Sequence, residues 1–244
     1  MELRLFVFHH AGGSHLMYRD WPERFPAGWD VRTPDAPGRG PWDDRPPLAD
    51  VGAVVDHFLH ELGDGLTGRF ALFGHSMGAA IAYELTRRLL ADGRTPPLWL
   101  GLSAGSATRP GDAPQRHLLP DAELRRAVEA MGGTPSAVLA DPGLWSLLAP
   151  TIRGDLRIGE TWRPAPEPLP ATVPLSVFGG ARDEAVPLDQ LVGWSDLCEQ
   201  FLGLHLFDGG HFYFRDNPTA LIAQIRKDAS RALTLAEVAS SVPR

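Results

Sequence analysis

Residues 69–90, RFALFGHSMGAAIAYELTRRLL, constrain the fold more than any other part of the chain. Phe70, Ala71, Leu72 and Phe73 read as a short apolar strand, Gly74-His75-Ser76-Met77-Gly78 follows, and a long run at helical spacing comes next. A G-x-S-x-G element between a strand and a helix is a sharp turn that presents its serine above the sheet. The reason is steric. The serine backbone at such a tip is strained, and the flanking glycines let strand and helix close around it. The Ser76 hydroxyl then stands at the positive end of the helix. A chance serine in a Gly-rich turn is the plainer alternative, and the flanking strand and helix argue against it. A nucleophilic serine needs a base, an acid to orient that base, and donors for developing negative charge. The rest of the chain must supply them.

The 244 residues suit one α/β domain with a sizeable core. Hydrophobic residues at 43% and charged residues at 22% are ordinary globular composition and exclude disorder. A formal net charge of -7 with no long basic run argues against nucleic-acid binding. Cys198 is the single cysteine, so there is no intrachain disulfide, which fits a reducing compartment. The N-terminal MELRLFVFHHAGG lacks a basic region before its apolar run and a small-residue cleavage pattern, so it reads as a core strand and not a signal peptide. No segment approaches the ~20 apolar residues of a membrane span. A soluble, cytoplasmic protein is expected.

Along the chain, residues 3–8 form a nearly continuous apolar run, the pattern of a strand buried on both faces. A loop at His9-His10-Ala11-Gly12-Gly13-Ser14, a short helix over 17–24 and a strand over 29–33 follow. Residues 34–47 carry too much Pro and Gly for regular structure. Val51, Val54, Val55, Phe58, Leu59 and Leu62 fall at helical spacing, and Gly93 is a plausible stop for the helix after Ser76. Another buried strand spans 98–103. Residues 105–165 then contain no strand pattern. Asp121 opens a helix closed by Gly132-Gly133. Thr134-Pro135 and Asp141-Pro142 each place a capping residue before a proline at the first helical position. The helical pattern of Leu144, Leu147, Leu148, Ile152 and Leu156 is expected to break at Pro150. Strand rhythm resumes at 175–178 and 204–207, with a helix over 188–197 between them and a final helix from Asn217-Pro218. The last residues, SSVPR, read as frayed. The expectation is one domain over 1–244. Its mostly parallel sheet is covered by helices on both faces, with a core of 1–104 and 166–244 and a helical insertion at about 105–165.

In such sheets functional groups gather at the carboxyl ends of strands. Asp183 follows one late strand and His211 follows the last. His211 is assigned as the base that takes the proton of Ser76. Asp183 is assigned as the acid that holds its tautomer and stabilises the imidazolium. Glu184 adjoins Asp183 and is the competing acid. Asp208 lies too near His211 in sequence to bond it easily and is expected to make a turn. His205 lies inside its strand, and His75 is expected to point away from a substrate. One oxyanion donor is the amide of Met77. The other is assigned to the amide of Ala11, in a loop where Gly12 and Gly13 permit close backbone approach.

With these residues identified, the chain resembles the type II thioesterases of polyketide synthase and nonribosomal peptide synthetase pathways, over nearly its whole length. The resemblance rests on Phe8-His9-His10-Ala11-Gly12-Gly13-Ser14, Pro37-Gly38-Arg39, Phe73-Gly74-His75-Ser76-Met77-Gly78-Ala79, Gly132-Gly133-Thr134-Pro135, Pro150-Thr151-Ile152-Arg153-Gly154-Asp155 and Gly209-Gly210-His211-Phe212. Leu102-Ser103-Ala104-Gly105-Ser106 and Gly40-Pro41-Trp42 depart from the family pattern without touching these motifs. The resemblance implies an α/β-hydrolase fold whose 105–165 insertion is a lid. It implies hydrolysis of acyl groups held on a phosphopantetheine thiol, through Ser76, Asp183 and His211 with Ala11 and Met77 as oxyanion donors. No cofactor is expected, and no metal, since the histidines are scattered. Met131, Leu144, Trp145 and Leu148 are candidates to line an acyl pocket. Arg39 is expected to be a structural loop residue. An acyl or peptidyl carrier protein is the implied partner, with Arg87, Arg88, Arg109, Arg116, Arg125 and Arg126 as candidate docking charges. Two other functions remain open to the same residues: an esterase or lipase acting on small oxygen esters, and a non-catalytic binding protein on the same scaffold.

Overall fold

Alternating apolar residues set the first strand. In β1 (Leu3–Phe8), Leu3, Leu5 and Val7 turn to one buried cluster, while Phe6 and Phe8 turn to another. A strand buried on both faces needs a helical layer on each. The computed structural model describes residues 3–107 and 115–241. After β1 come α1 (Trp21–Arg24), β2 (Trp29–Arg32), α2 (Val51–Leu62), β3 (Phe70–His75), α3 (Met77–Ala91) and β4 (Leu100–Ser103). Then come α4 (Asp121–Met131), α5 (Ser136–Ala140) and α6 (Pro142–Thr161), followed by β5 (Leu175–Gly180), α7 (Leu188–Val192), β6 (Phe201–Phe207) and α8 (Thr219–Ser241). The strands form one six-stranded sheet in the order β2-β1-β3-β4-β5-β6, with every neighbouring pair parallel. One face packs against Val54, Val55 and Phe58 of α2, the apolar side of α3, and Leu191 of α7. The other packs against Trp21 of α1 and Leu221, Ile222, Ile225 and Ala229 of α8.

The strand order reverses between β1 and β3: from β1 the chain first adds β2 on one side, then β3 on the other. Loops leaving the carboxyl ends of two such strands diverge and open a crevice. Those two loops carry Ala11 and Ser76.

Several boundaries differ from the sequence reading, for local reasons. The helix expected over 17–24 is a 3-10 turn at His15–Tyr18 followed by the one-turn α1, because Pro22 can start a helix and cannot continue one. The helix expected over 188–197 is α7 followed by a 3-10 turn at Gly193–Leu197, where Gly193 caps α7. Thr134 is not the cap of α5. Pro135 keeps an extended backbone, with ψ 139°, and Ser136 is the first helical residue. Asp141 does cap α6, accepting from the N–H groups of Gly143 at 2.7 Å and Leu144 at 3.0 Å. The break expected at Pro150 does not occur, and α6 runs through it. Trp145, Ala149, Ile152 and Leu156 lie on one face of α6 and bury against Leu124 and Val128 of α4 and Leu139 of α5. That packing outweighs the lost hydrogen bond. The helices between β4 and β5 thus share an apolar cluster of their own and sit over the carboxyl end of the sheet. Among the described residues no helix is long and apolar enough to cross a membrane. The expected fraying at the C-terminus falls partly on residues 242–244, which lie outside the described residues.

Candidate active site

Ser76 joins β3 to α3 with φ 57° and ψ -117°, a conformation an L-residue holds only under constraint. The constraint is visible on both sides. The Ser76 N–H donates to the Ser103 carbonyl at 2.7 Å, and the Ser76 carbonyl accepts from the Ala79 N–H at 3.0 Å. A Cβ on Gly74 would stand 1.9 Å from the Gly78 carbonyl oxygen, and one on Gly78 would stand 2.3 Å from the Phe8 carbonyl oxygen. Only glycine at both positions lets the turn close. Ala104 is the other described non-glycine residue with positive φ, at 46°, and it lines the same pocket as Ser76. Strain concentrated at one pocket is a mark of function.

Asp183 and His211, the candidate acid and base, arrive after neighbouring strands. β5 ends in Gly179-Gly180 and β6 is followed by Gly209-Gly210. Position 180 has no room for a side chain, since a Cβ there would lie 2.1 Å from the Gly210 carbonyl oxygen. The two loops therefore bond directly: the Ala181 N–H donates to the Phe207 carbonyl at 2.7 Å, and the Arg182 N–H to the Gly209 carbonyl at 2.8 Å. Asp183 and His211 are held side by side. His211 Nδ1 lies 2.8 Å from Asp183 Oδ2, and its Nε2 lies 2.9 Å from Ser76 Oγ. With Asp183 ionised, Nδ1 carries the proton and Nε2 accepts from the serine hydroxyl. The second carboxylate oxygen, Oδ1, accepts from the N–H groups of Ala185 at 2.9 Å and Val186 at 3.2 Å, so the carboxylate cannot rotate away. The Asp183 side chain is fully buried, whereas Glu184 is exposed. Of the two, only Asp183 meets His211. Asp208 instead pairs with Arg182 at the surface, and His205 pairs with Asp228 of α8 at 2.8 Å.

Behind His211 lies a packed aromatic floor. The His75 ring is 5.1 Å from the His211 ring, and Phe212 stands edge-on to both His10 and His211. His75 Nδ1 lies 2.8 Å from Ser103 Oγ, which lies 2.8 Å from the Tyr213 hydroxyl. Burial holds both His75 and His10 far below the usual histidine range, reinforced by repulsion from His211 and His10 at His75 and from His9 and His211 at His10. Both rings are therefore neutral, and neither opposes a positive charge on His211. Burial raises the Tyr213 phenol, so it stays protonated.

Ala11, Ser76 and Met77 line one pocket of about 50 Å³ together with Ala104, Met131, Leu156, Gly159 and Trp162. Among the described residues neither the Ala11 N–H nor the Met77 N–H is taken by a hydrogen bond. Of the four residues expected to line an acyl pocket, only Met131 does. Leu144 is exposed, Trp145 is buried among the insertion's own helices with its indole N–H on Asp121 at 2.8 Å, and Leu148 packs against the same cluster. Residues 145 and 148 share the inward face of α6 that binds α4 and α5, and helical spacing cannot separate that face from a pocket wall. Arg39 is a structural residue of its loop, as expected, and is buried, which a loop arginine is only when paired; its partner was not foreseen: both its Nη atoms bond the buried Asp155 of α6. An Arg and an Asp 116 positions apart carry no local signal that they meet.

A strained serine on a strand-to-helix turn, a histidine and a buried carboxylate, gathered at the carboxyl edge of a parallel sheet, define a serine hydrolase of the α/β-hydrolase fold. Within that class the chain belongs to the thioesterase family, whose thioesterase-domain model matches residues 3–229. It is 30% identical over 217 residues to the thioesterase PikA5 of Streptomyces venezuelae, spanning 88% of this chain and 76% of that one. It is 29% identical over 222 residues to the gramicidin S biosynthesis protein GrsT of Aneurinibacillus migulanus, spanning 91% and 86%. The solved structure of the type II thioesterase BorB from the borrelidin biosynthetic cluster matches it with a TM-score of 0.81 at 32% identity, over 94% of this chain and 93% of that one. The resemblance to type II thioesterases of polyketide and nonribosomal peptide pathways, read from the motifs, is borne out.

Proposed function

We propose that this protein hydrolyses acyl thioesters held on the phosphopantetheine arm of acyl or peptidyl carrier proteins, through an acyl-Ser76 intermediate. The observation that carries the proposal is the unbroken line of contacts from Asp183 through His211 to Ser76, opening into a small pocket beneath α6. Ser76 Oγ attacks the thioester carbonyl carbon while His211 Nε2 takes its proton. The carbonyl oxygen becomes an oxyanion held by the Ala11 and Met77 N–H groups. The tetrahedral centre collapses, the C–S bond breaks, and His211 returns its proton to the leaving sulfur. A water then attacks the acyl-serine with His211 again as base, and the free acid leaves with Ser76 restored. Removal of stalled or aberrant acyl groups is the role this chemistry suits. Every step uses side chains and backbone of this chain, so the reading invokes no cofactor.

The helical insertion at about 105–165 is the lid in this reading, with the chain otherwise forming a single domain. Of the arginines considered for docking the carrier, Arg87, Arg88 and Arg116 are in ion pairs with Glu167, Asp56 and Glu160, and Arg109 lies outside the described residues. Arg125 and Arg126 on α4 are then the candidates. A cytoplasmic location fits this reading.

The test compares the wild-type protein with Ser76→Ala on acyl-carrier protein, acyl-coenzyme A and a p-nitrophenyl ester of the same acyl group. Hydrolysis of the thioesters that disappears in Ser76→Ala is expected. A higher kcat/KM on the oxygen ester rejects the substrate class, and full activity in Ser76→Ala rejects the mechanism.

A further inference from the structure

The loop bearing Ala11 is tied down at His10, Gly12 and Gly13, while no hydrogen bond takes the Ala11 N–H among the described residues. The Gly12 N–H donates to Asp155 Oδ2 at 2.7 Å, and the Gly13 carbonyl accepts from Arg39 Nη1 at 2.9 Å. The Gly13 N–H closes a turn onto the His10 carbonyl at 2.9 Å. That carbonyl also accepts from His9 Nδ1 at 2.9 Å, while His9 Nε2 accepts from the Ala36 N–H at 3.4 Å. Asp155 and Arg39 bond each other twice, at 2.6 and 2.7 Å, and their side chains are 1% and 7% exposed. We propose that Asp155 and Arg39 are positioning residues of the oxyanion hole: together they grip the Gly12 N–H and the Gly13 carbonyl, on the loop just after Ala11, and so aim the Ala11 N–H at the reacting carbonyl.

Two observations argue that the pair acts through geometry more than through stability. Buried ion pairs add little net stability over apolar residues of similar volume, and Arg39 Nε is buried here with no partner among the described residues. A pair serving stability alone has no need to spend its hydrogen bonds on Gly12 and Gly13. Charge matters as well. Asp155 lines the same pocket as Ser76, where a bare carboxylate would oppose an oxyanion, and Arg39 cancels it. Because Asp155 belongs to α6, the helix that roofs the pocket also sets the oxyanion loop. The inference rests on the reading of Ala11 as an oxyanion donor.

Two double variants test it. Arg39→Met/Asp155→Leu removes both charges and both grips. Arg39→Met/Asp155→Asn removes the charges and leaves an acceptor for the Gly12 N–H. The first is expected to lose about 10²- to 10³-fold in kcat, the cost of one oxyanion donor, with KM nearly unchanged. The second is expected to recover at least about tenfold of that loss. Inhibition by a trifluoromethyl ketone analogue, which binds as a tetrahedral adduct to Ser76, should weaken in step with kcat, while binding of the unreactive alcohol analogue holds. Arg39→Lys supplies a third variant that keeps the charge; it is expected to lower kcat with thermal stability retained. Wild-type kcat in the first double variant overturns the inference, as does an equal loss in both double variants. Persistence of hydrolysis in Ser76→Ala would instead overturn the reading of the site on which it rests.

Discussion

Gly74→Ala adds one methyl group where the elbow has no room for it. The new Cβ would lie 1.9 Å from the Gly78 carbonyl oxygen, 2.2 Å from its carbon and 2.6 Å from the Ala79 nitrogen. All three are backbone atoms, so no side chain can swing aside. An ordinary contact needs about 3.5 Å, so the end of β3 and the start of α3 must part by about 1.5 Å. Ser76 sits between them. Its hydroxyl is 2.9 Å from His211 Nε2, and a displacement of that size takes it beyond hydrogen-bond range, about 3.5 Å. A misplacement of about 1 Å can cost roughly a hundredfold in rate, so kcat/KM on an acyl thioester should fall at least that far. Overpacking of this kind costs about 1–3 kcal/mol, which lowers the melting temperature of a chain this long by roughly 2–12 °C. Steady-state hydrolysis and calorimetry read both effects. Gly159→Ala is the control for stability: it adds the same methyl where its Cβ would meet only Met77 Cβ, at 3.9 Å. It should leave the melting temperature unchanged or slightly raised. A Gly74→Ala protein with wild-type kcat/KM and melting temperature would refute the account of the elbow.

Two further outcomes follow from the hydrogen-bond geometry and the buried histidines. In Asp183→Asn, the Ala185 and Val186 N–H groups retain the side-chain oxygen, so the amide NH₂ faces His211 and forces the proton onto Nε2. The base then cannot accept from Ser76. A fall in kcat of about 10⁴-fold at neutral pH is expected, as for the same change in serine proteases, with the fold intact by circular dichroism; a loss under tenfold would sink the tautomer argument. His9 is held at about 4 by burial, reinforced by Arg39, against an ordinary value near 6.5. Between those values the unfolded chain binds a proton that the folded His9 refuses, so stability is fully present above pH ~6.5 and falls by about 3 kcal/mol as pH drops to ~4. His10 and His75 act in the same direction. The melting temperature should therefore fall between pH 7 and 4.5, less steeply in His9→Gln, and an identical slope in the two proteins would contradict this assignment.

Local chemistry made much of the site legible. The elbow is readable because a strained serine needs glycine at fixed offsets, and these offsets are a property of the sequence. Asp183 and His211 are readable because each follows a strand in an order the fold permits. The competing Glu184 was separable only by burial. The sheet and its covering helices follow from apolar runs and helical spacing, whereas single boundaries near Pro22, Pro135 and Pro150 do not. At Pro150 the packing of α6 against α4 and α5 overrides a residue that breaks helices elsewhere.

The sequence by itself thus determined the turn that carries Ser76, the alternation of strands and helices, and the family. The tertiary structure decided which residues meet across long stretches of chain. The sheet order sets the Ala11 and Ser76 loops on either side of one crevice, and the close approach of Gly180 to Gly210 brings Asp183 to His211. The union of Arg39 with Asp155 beneath the Ala11 loop was decided there too. Such contacts depend on how elements stack in space, and burial then fixes their charge states. Neither is written in the spacing of residues along one chain.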